Sequence, residues 1–190
     1  MNAKINIKDS ILETNRLVLR PFKRSDLDDF YAYAKVWGVG QMAGWLPHQS
    51  IKQSQEILEK FIEGEKTFAI VYKNNHKVIG SIGIENLRNI DEEKLKKLKG
   101  RELGFVLSKE YWGLGIMPEA VKKVIDYLFH DCNLDFITCS YFIDNNQSKR
   151  VQEKLGFIYH HTCEEVAVPL MNEVRVGHTN YMTKEQWKKS

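Results

Sequence analysis

A glycine-rich connection between a predicted strand and a predicted helix constrains the fold of this chain more than any other feature. The strand ELGFVL covers 102–107, and YWGLGIMPEA follows it at 111–120. Gly113 and Gly115 carry no Cβ, so the backbone can approach a bound group closely. Pro118 suits a first helical turn, where its missing N–H is not needed. Because the first N–H groups of a helix are unpaired and lie at its positive end, the connection predicts either a tight turn or an anion site.

The same residues exclude two familiar phosphate-binding loops. A P-loop requires a lysine and a Ser or Thr after its last glycine, and neither stands at the required place. The dinucleotide-binding fingerprint requires a third glycine three residues after Gly115, where the chain has Pro118. The sequence therefore indicates neither a P-loop nucleotidase nor a Rossmann dehydrogenase.

Alternating strand and helix patterns predict one α+β domain, 1–190, built on a mixed sheet. Runs of period two and β-branched residues mark the strands, and apolar stripes at helical spacing mark the helices. The predicted strands are 16–22, 67–72, 77–86, 102–107, 136–142, 157–168 and 173–183, and the predicted helices are 27–36, 51–62, 118–132 and 146–155.

Short polar and glycine signals predict where several elements begin and end. Ser25 and Ser50 are each followed three residues later by Asp or Gln, which resembles a capping box at a helix start. Gly156, followed by an apolar residue, predicts a left-handed C-cap. Gly80 and Gly83 within one predicted strand indicate a bulge or close packing.

The composition bears on the partners and the compartment of the protein but does not indicate its function. Lys and Arg number 28 against 25 acidic residues, a net charge of +3, which favours neither nucleic acid nor a membrane surface as partner. The start, MNAKINIKDS, lacks the apolar core of a signal peptide, and a cytoplasmic protein is predicted. Cys132, Cys139 and Cys163 form no CxxC pair, so reduced thiols and no metal site are expected. The charged segment 87–101 predicts a solvated excursion, with a basic binding patch as the alternative.

Four stretches together resemble one known family, the GNAT superfamily of acyl-CoA-dependent N-acetyltransferases. They are TNRLVLRPF (14–22), ELGFVLSKEYWGLGIMPEA (102–120), DNNQSKRVQEKLGF (144–157) and YMTKEQW (181–187). The resemblance covers Leu12 to Trp187, and it is to the branch of ribosomal-protein N-terminal acetyltransferases. It implies a mostly antiparallel, splayed central sheet of about seven strands flanked by helices. It also implies acetyl-CoA as co-substrate.

The resemblance assigns the cofactor site residue by residue. The pyrophosphate of acetyl-CoA is expected on backbone N–H groups of the glycine loop, and the pantetheine arm on the edge of the strand before it, a form of strand addition. Asn145 either caps the following helix or binds the arm. The loop residues are Trp112, Gly113, Leu114, Gly115, Ile116 and Met117, and the strand residues are Phe105, Val106 and Leu107.

Two residues are the catalytic candidates by the same resemblance. Glu102 is the candidate base that takes the proton of the attacking amine. The alternative is a strand-end glutamate in solvent or paired with a neighbouring Arg or Lys. Ser148 is expected near the departing sulfur, able to return a proton. Many relatives use a tyrosine four residues further on, where this chain has Gln152. His160 and His161 are adjacent on a predicted strand and should point to opposite faces.

The amine acceptor is less constrained. Relatives line the acceptor site with the connection between the first two helices, here 37–50, and the candidates are Trp37, Trp45 and His48; local packing is the alternative. The segment contains no carboxylate, which disfavours a polycationic acceptor. The function predicted is acetyl transfer to a protein N-terminal amine. The alternatives are a small-amine acetyltransferase and a non-catalytic acyl-CoA-binding module, and homodimers are common in the family.

Overall fold

One mixed β-sheet organises the chain. The structure, a computed structural model, describes residues 1–88, 95 and 97–189. Within them the strands lie in the order β1-β2-β3-β4-β5-β6-β8-β7. Their bounds are Leu12–Glu13, Leu17–Pro21, Thr67–Tyr72, Val78–Glu85, Gly100–Leu107, Phe136–Phe142, Ile158–Val168 and Glu173–Thr183 for β1 to β8. The predicted α+β class is confirmed, with the two-residue β1 as an edge strand that the sequence patterns did not predict.

Helices cover both faces of the sheet. They are α1 Leu27–Ala34, α2 Ile51–Gly64, α3 Ile116–His130, α4 Asn146–Lys154 and α5 Lys184–Trp187. None of them, within the described ranges, is long and apolar enough to cross a membrane. Of the predicted charged excursion, 87–101, residues 89–94 and 96 lie outside the described residues, and its last two residues belong to β5.

The sheet splits between its two parallel strands. β5 pairs with β6 only from Gly100 to Leu103, opposite Phe136 to Cys139. Beyond that point β5 continues to pair with β4, and β6 with β8, through Leu107 and Phe142. The carboxyl ends of β5 and β6 therefore diverge into a cleft, and the splayed sheet expected from the family resemblance is confirmed.

Two apolar layers hold this sheet in place. On one face α3 buries its predicted stripe against β2, β4 and β5; on the other, α1 and α2 pack on β3. Burial of such side chains contributes roughly 1.5–3 kcal/mol each, so both layers stabilise the sheet up to the split. The stripe of α3 consists of Ala120, Val121, Val124, Ile125, Leu128 and Phe129, all 1% exposed or less.

Of the two helix starts predicted from serine signals, the one at Ser50 is confirmed and the one at Ser25 is not. Ser50 caps α2 by accepting from the Gln53 N–H at 3.2 Å, as predicted. The box predicted at Ser25 is wrong, because the carboxylate of Asp26 accepts from the Lys23 N–H at 2.8 Å instead. A short 3₁₀ turn results, and α1 begins after it.

Gly80 is required by close packing, as predicted for its strand. A Cβ there would lie 2.3 Å from the carbonyl oxygen of Val106 on the neighbouring strand. The register also shifts between Ile70 and Val71, which leaves Ile79 as an extra residue in β4. This bulge lies beside the strand that forms one wall of the cleft.

Candidate active site

The glycine loop presents unpaired backbone donors at the start of α3. Gly113 and Gly115 have φ of +79° and +72°, a region that favours glycine. The N–H groups from Gly113 to Met117 meet no hydrogen-bond acceptor among the described residues. Pro118 lies in the first turn, as predicted. The row of free donors at the positive end of a 15-residue helix can bind an anion.

Trp112 holds the loop to the strand before it. Its indole N–H donates to the carbonyl oxygen of Leu107 at 2.8 Å, and its backbone N–H donates to the carbonyl oxygen of Lys109 at 3.1 Å. Because that backbone donor is already used, the role predicted for Trp112 in pyrophosphate binding has no free N–H to support it. The geometry instead indicates that Trp112 fixes the path of the loop.

An ion pair between Arg16, just before β2, and Glu119 on α3 holds the glycine loop at Leu114. Arg16 donates from Nη1 to the carbonyl oxygen of Leu114 at 2.9 Å and from Nε to the Glu119 carboxylate at 2.7 Å. Thr14 also donates to Glu119. Burial would raise the pKa of Glu119, but these hydrogen bonds outweigh it and lower the pKa. Arg16 and Glu119 lie in two of the stretches that resemble the family, but no local sequence pattern predicts their contact.

A cavity of about 350 Å³ lies between the loop, the end of β5 and α4. Among the described residues no Asp or Glu lines it, and the cationic side chains in its wall are Arg150 and Lys154. Leu114 is the predicted cofactor residue that lies outside it; its side chain is 55% exposed. The other predicted residues do line it: Phe105, Val106, Leu107, Trp112, Gly113, Gly115, Ile116, Met117 and Asn145, together with Ser148.

A second cavity, of about 190 Å³, lies across the split in the sheet. Glu102, Arg88 and Ser140 contribute polar groups to it, and Phe142 and Val166 contribute apolar ones. Both cavities share Met42, Ala43, Phe105, Asn145 and Ser148 in their walls. They therefore meet where β5 and β6 separate.

Glu102 is a buried carboxylate at the edge of this junction. It is 2% exposed, and its Oε1 accepts from Arg88 at 3.0 Å. Its Oε2 is buried and has no hydrogen-bond partner among the described residues. Burial raises the pKa of Glu102, and Arg88 and the nearby Ser140 hydroxyl partly offset the shift. A carboxylate in a cavity wall, with a raised pKa and one oxygen without a hydrogen bond, has the properties of a general base.

Comparison with known proteins identifies the family. Residues 16–158 match the family model described as the acetyltransferase (GNAT) domain. The chain belongs to the GNAT family. A relative in Bacillus licheniformis, the uncharacterized N-acetyltransferase p20, is 31% identical over 152 residues, 77% of this chain and 81% of the relative. The predicted acetyl-CoA-dependent N-acetyltransferase is confirmed.

Two solved GNAT structures share the fold. One, ribosomal-protein-S5-alanine acetyltransferase from Vibrio fischeri, has a TM-score of 0.68 and 24% identity, covering 94% of this chain and 99% of that one. The other, spermidine N-acetyltransferase from Vibrio cholerae in complex with CoA and spermine, has a TM-score of 0.74 and 17% identity, covering 92% and 99%. One is named for a ribosomal protein and the other for a polyamine, so their shared fold leaves the acceptor open.

Ser148 ends a directed chain of hydrogen bonds in this GNAT domain. Asn180 donates to Gln152 Oε1 at 3.0 Å, and Gln152 Nε2 donates to the Ser148 oxygen at 3.1 Å. Because that oxygen accepts a bond, the hydroxyl hydrogen is left to donate toward the cavities. Gln152 stands where many relatives have tyrosine, is 0% exposed and lines neither cavity.

Asn145 links α4 to the connection between α1 and α2. Its Oδ1 accepts from the Ser148 N–H at 3.0 Å, the predicted helix cap. Its Nδ2 donates to the carbonyl oxygen of Met42 at 3.1 Å. Arg175 fixes the same connection by donating to the carbonyl oxygen of Gln41 at 3.1 Å. Contact of the Asn145 side chain with the cofactor stays a prediction, since both ends of its amide are used within the protein.

The three predicted acceptor residues are not brought to either cavity. Trp37 is 70% exposed, and His48 is buried with its Nδ1 2.7 Å from the Ser54 hydroxyl. The Trp45 ring lies 5.0 Å from the His48 ring and occupies the space that a Cβ on Gly40 would need. Their segment instead contributes Val39, Met42 and Ala43 to the cavity walls. A role in acceptor binding for Trp37, Trp45 and His48 stays a prediction without support from this geometry.

His160 and His161 do not point to opposite faces, so that prediction is wrong. The β7–β8 register shifts between Tyr159 and His161, which makes His160 a bulge residue. The two rings consequently lie 4.8 Å apart. Neither histidine lines either of these two cavities. Within the described part of the chain, no three His, Cys, Asp or Glu side chains are grouped to bind a metal ion.

Proposed function

We propose that this GNAT protein, acting as one domain over 1–190, transfers the acetyl group of acetyl-CoA to an N-terminal amine of a protein. One observation carries the proposal. The cavity beside the free N–H groups and the cavity beside Glu102 meet at the split in the sheet, with Phe105, Asn145 and Ser148 in both walls. A thioester entering from one side and an amine from the other would come together there.

The residues present fit an acyl-CoA. The N–H groups from Gly113 to Met117 are suited to a pyrophosphate, and no acidic side chain among the described residues lines their cavity. Beyond Leu103, β5 pairs only with β4 among the described strands, so its other edge faces the cleft and can bond amides. Acetyl-CoA supplies an acetyl group activated as a thioester.

The proton of the amine would go to Glu102. The free Oε2 is the acceptor atom, while Arg88 holds Oε1 in place at 3.0 Å. The Ser148 hydroxyl would donate a hydrogen bond to the departing sulfur. A thiolate with a pKa of about 8.5 leaves with no more help than that, so a tyrosine in place of Gln152 is not required.

Direct transfer is favoured over an acetylated enzyme. Cys139 and Cys163 line the second cavity, but neither thiol has a hydrogen-bonded base among the described residues. Burial raises the pKa of the Cys139 thiol well above its usual value. A protonated thiol is a poor nucleophile, so the amine itself is expected to attack the thioester.

The charge of the second cavity supports a single-amine acceptor. Glu102 is its one carboxylate among the described residues, and Arg88 already pairs with it. A polyamine would place a second ammonium group there without an anionic partner, which is unfavourable. A peptide amino terminus brings one amine only.

The test is an acceptor screen after acetyl-CoA binding has been measured by isothermal titration. Peptides with a free amino terminus should be acetylated, as followed by thiol release and mass spectrometry. Matched peptides with a blocked amino terminus and an internal lysine should not. Preference for spermidine or an aminoglycoside would replace the acceptor proposed, and CoA binding without transfer to any amine would indicate a binding module.

Replacing Ser148 with alanine should lower kcat about 10- to 100-fold, the effect of losing one hydrogen bond to a charged group. Acetyl-CoA affinity should change little, because the loop donors are untouched. Ser148→Thr is the matched control, since it keeps a hydroxyl and should retain most of the turnover. Equal turnover in the alanine variant and the native protein would remove Ser148 from the mechanism.

A further inference from the structure

Two cationic side chains on α4 take no part in the proposed transfer reaction. Arg150 and Lys154 are four residues apart, which places them on one face of the helix. Both line the cavity that the glycine loop also lines. Neither forms an ion pair or hydrogen bond with any described residue. Lys149 on the adjacent face differs, because it lies 3.9 Å from Glu153.

These cations exceed what a pyrophosphate on the loop requires. The N–H groups from Gly113 to Met117 and the positive end of α3 already provide for the two charges of a diphosphate diester. In the described part of the chain, no acidic side chain lines the cavity to neutralise the two additional positive charges. Two unpaired cations in a cavity wall whose described residues include no acid indicate a second anionic group on the ligand.

The chemistry of CoA supplies such a group. Its adenosine carries a 3′-phosphate, a monoester whose charge at neutral pH is about −1.5 to −2, as for other phosphate monoesters. Dephospho-CoA lacks only this phosphate. One guanidinium group can donate two parallel hydrogen bonds to two oxygens of a phosphate, and an ammonium group adds a compact positive charge.

We propose that Arg150 and Lys154 form the subsite for the 3′-phosphate of CoA. This inference rests on the proposed function, because it assumes that the cavity holds an acyl-CoA. The loop at Gly113–Met117 binds the pyrophosphate, and α4 binds the monoester. The subsite therefore selects CoA over dephospho-CoA.

The experiment compares dissociation constants for CoA and dephospho-CoA by isothermal titration. The native protein should prefer CoA by about 10- to 100-fold, as two charge-assisted contacts would give. Arg150→Gln and Lys154→Gln should each reduce the preference, and the double variant should bring it to within about twofold. Lys149→Gln is the matched control and should keep the native preference. Raising the salt should shrink the preference, since both side chains are exposed.

Each outcome decides between the two proposals. Equal affinity of the native protein for CoA and dephospho-CoA overturns the subsite and leaves the proposed function standing. Equal weakening of both ligands in the double variant, with an unchanged urea midpoint, also overturns the subsite, because the loss is then not tied to the 3′-phosphate. Absence of native binding to either ligand overturns the proposed function together with the subsite.

Discussion

Replacing Gly115 with glutamate should weaken acetyl-CoA binding at least about 100-fold. A Cβ at Gly115 would have Arg16 Nη2 as its nearest side-chain atom, at 3.7 Å, and would otherwise face open space where the pyrophosphate is proposed to bind. A carboxylate within about 4 Å of a phosphate charge costs about 4 kcal/mol at an effective dielectric constant of 20. Isothermal titration of acetyl-CoA measures the effect.

Gly115→Gln is the matched control, because it has the same shape without the charge. Both variants place a side chain at a φ of +72°, which costs roughly 1–2 kcal/mol in the folded state. Their urea midpoints should therefore fall together, and both should lose affinity because a side chain enters the pyrophosphate space, but the glutamate variant should lose clearly more because of its charge. Native affinity in the glutamate variant would return the glycine loop to the role of a tight turn.

Glu102→Gln should lower kcat about 100- to 10,000-fold, as for loss of a general base. Acetyl-CoA binding should change little, since Glu102 lines only the second cavity. The fold should not be weakened at neutral pH. Because burial raises the pKa of Glu102, its contribution to stability is present below its unfolded pKa and is lost as the pH rises through the folded pKa. Glutamine does not undergo that loss, so the variant should unfold at an equal or higher urea concentration.

The pH dependence of kcat/KM gives an independent check on the same residue. Activity should rise as Glu102 ionises, with a midpoint above the ordinary value of 4.5. Arg88 lowers the pKa of Glu102, so Arg88→Met should move this limb to higher pH. In Glu102→Gln the limb should disappear. If kcat/KM of Glu102→Gln still rises with pH as in the native protein, the base is another group.

The glycine loop could be predicted from sequence because its causes are local. The positive φ angles of Gly113 and Gly115, and the place of Pro118 in the first turn, follow from properties of those residues alone. The same holds for the Ser50 cap. Where two local signals compete, a longer-range partner decides: Asp26 displaced the predicted box at Ser25, with its carboxylate held by Arg20 at 2.7 and 2.8 Å.

The chemistry around the loop depends on contacts that no local pattern contains. The burial of Glu102 and its pairing with Arg88 follow from the tertiary fold. The bulge at His160 is set by pairing with β8, since a register shift leaves no mark in one strand alone. Trp45 and His48 have the composition of an aromatic wall for a ligand, but they pack against each other.

The Arg16 contacts determine when the cofactor loop can form as the chain is made. Arg16 is synthesised 98 positions before Leu114 and 103 before Glu119, the residues that it holds. Closing so long a loop costs conformational entropy that later contacts must offset. The strands β2 to β5 lie between these partners in sequence, so the loop can gain its Arg16 contacts only after all four strands have been synthesised. A ligand that needs this loop would therefore not bind a nascent chain that ends before α3.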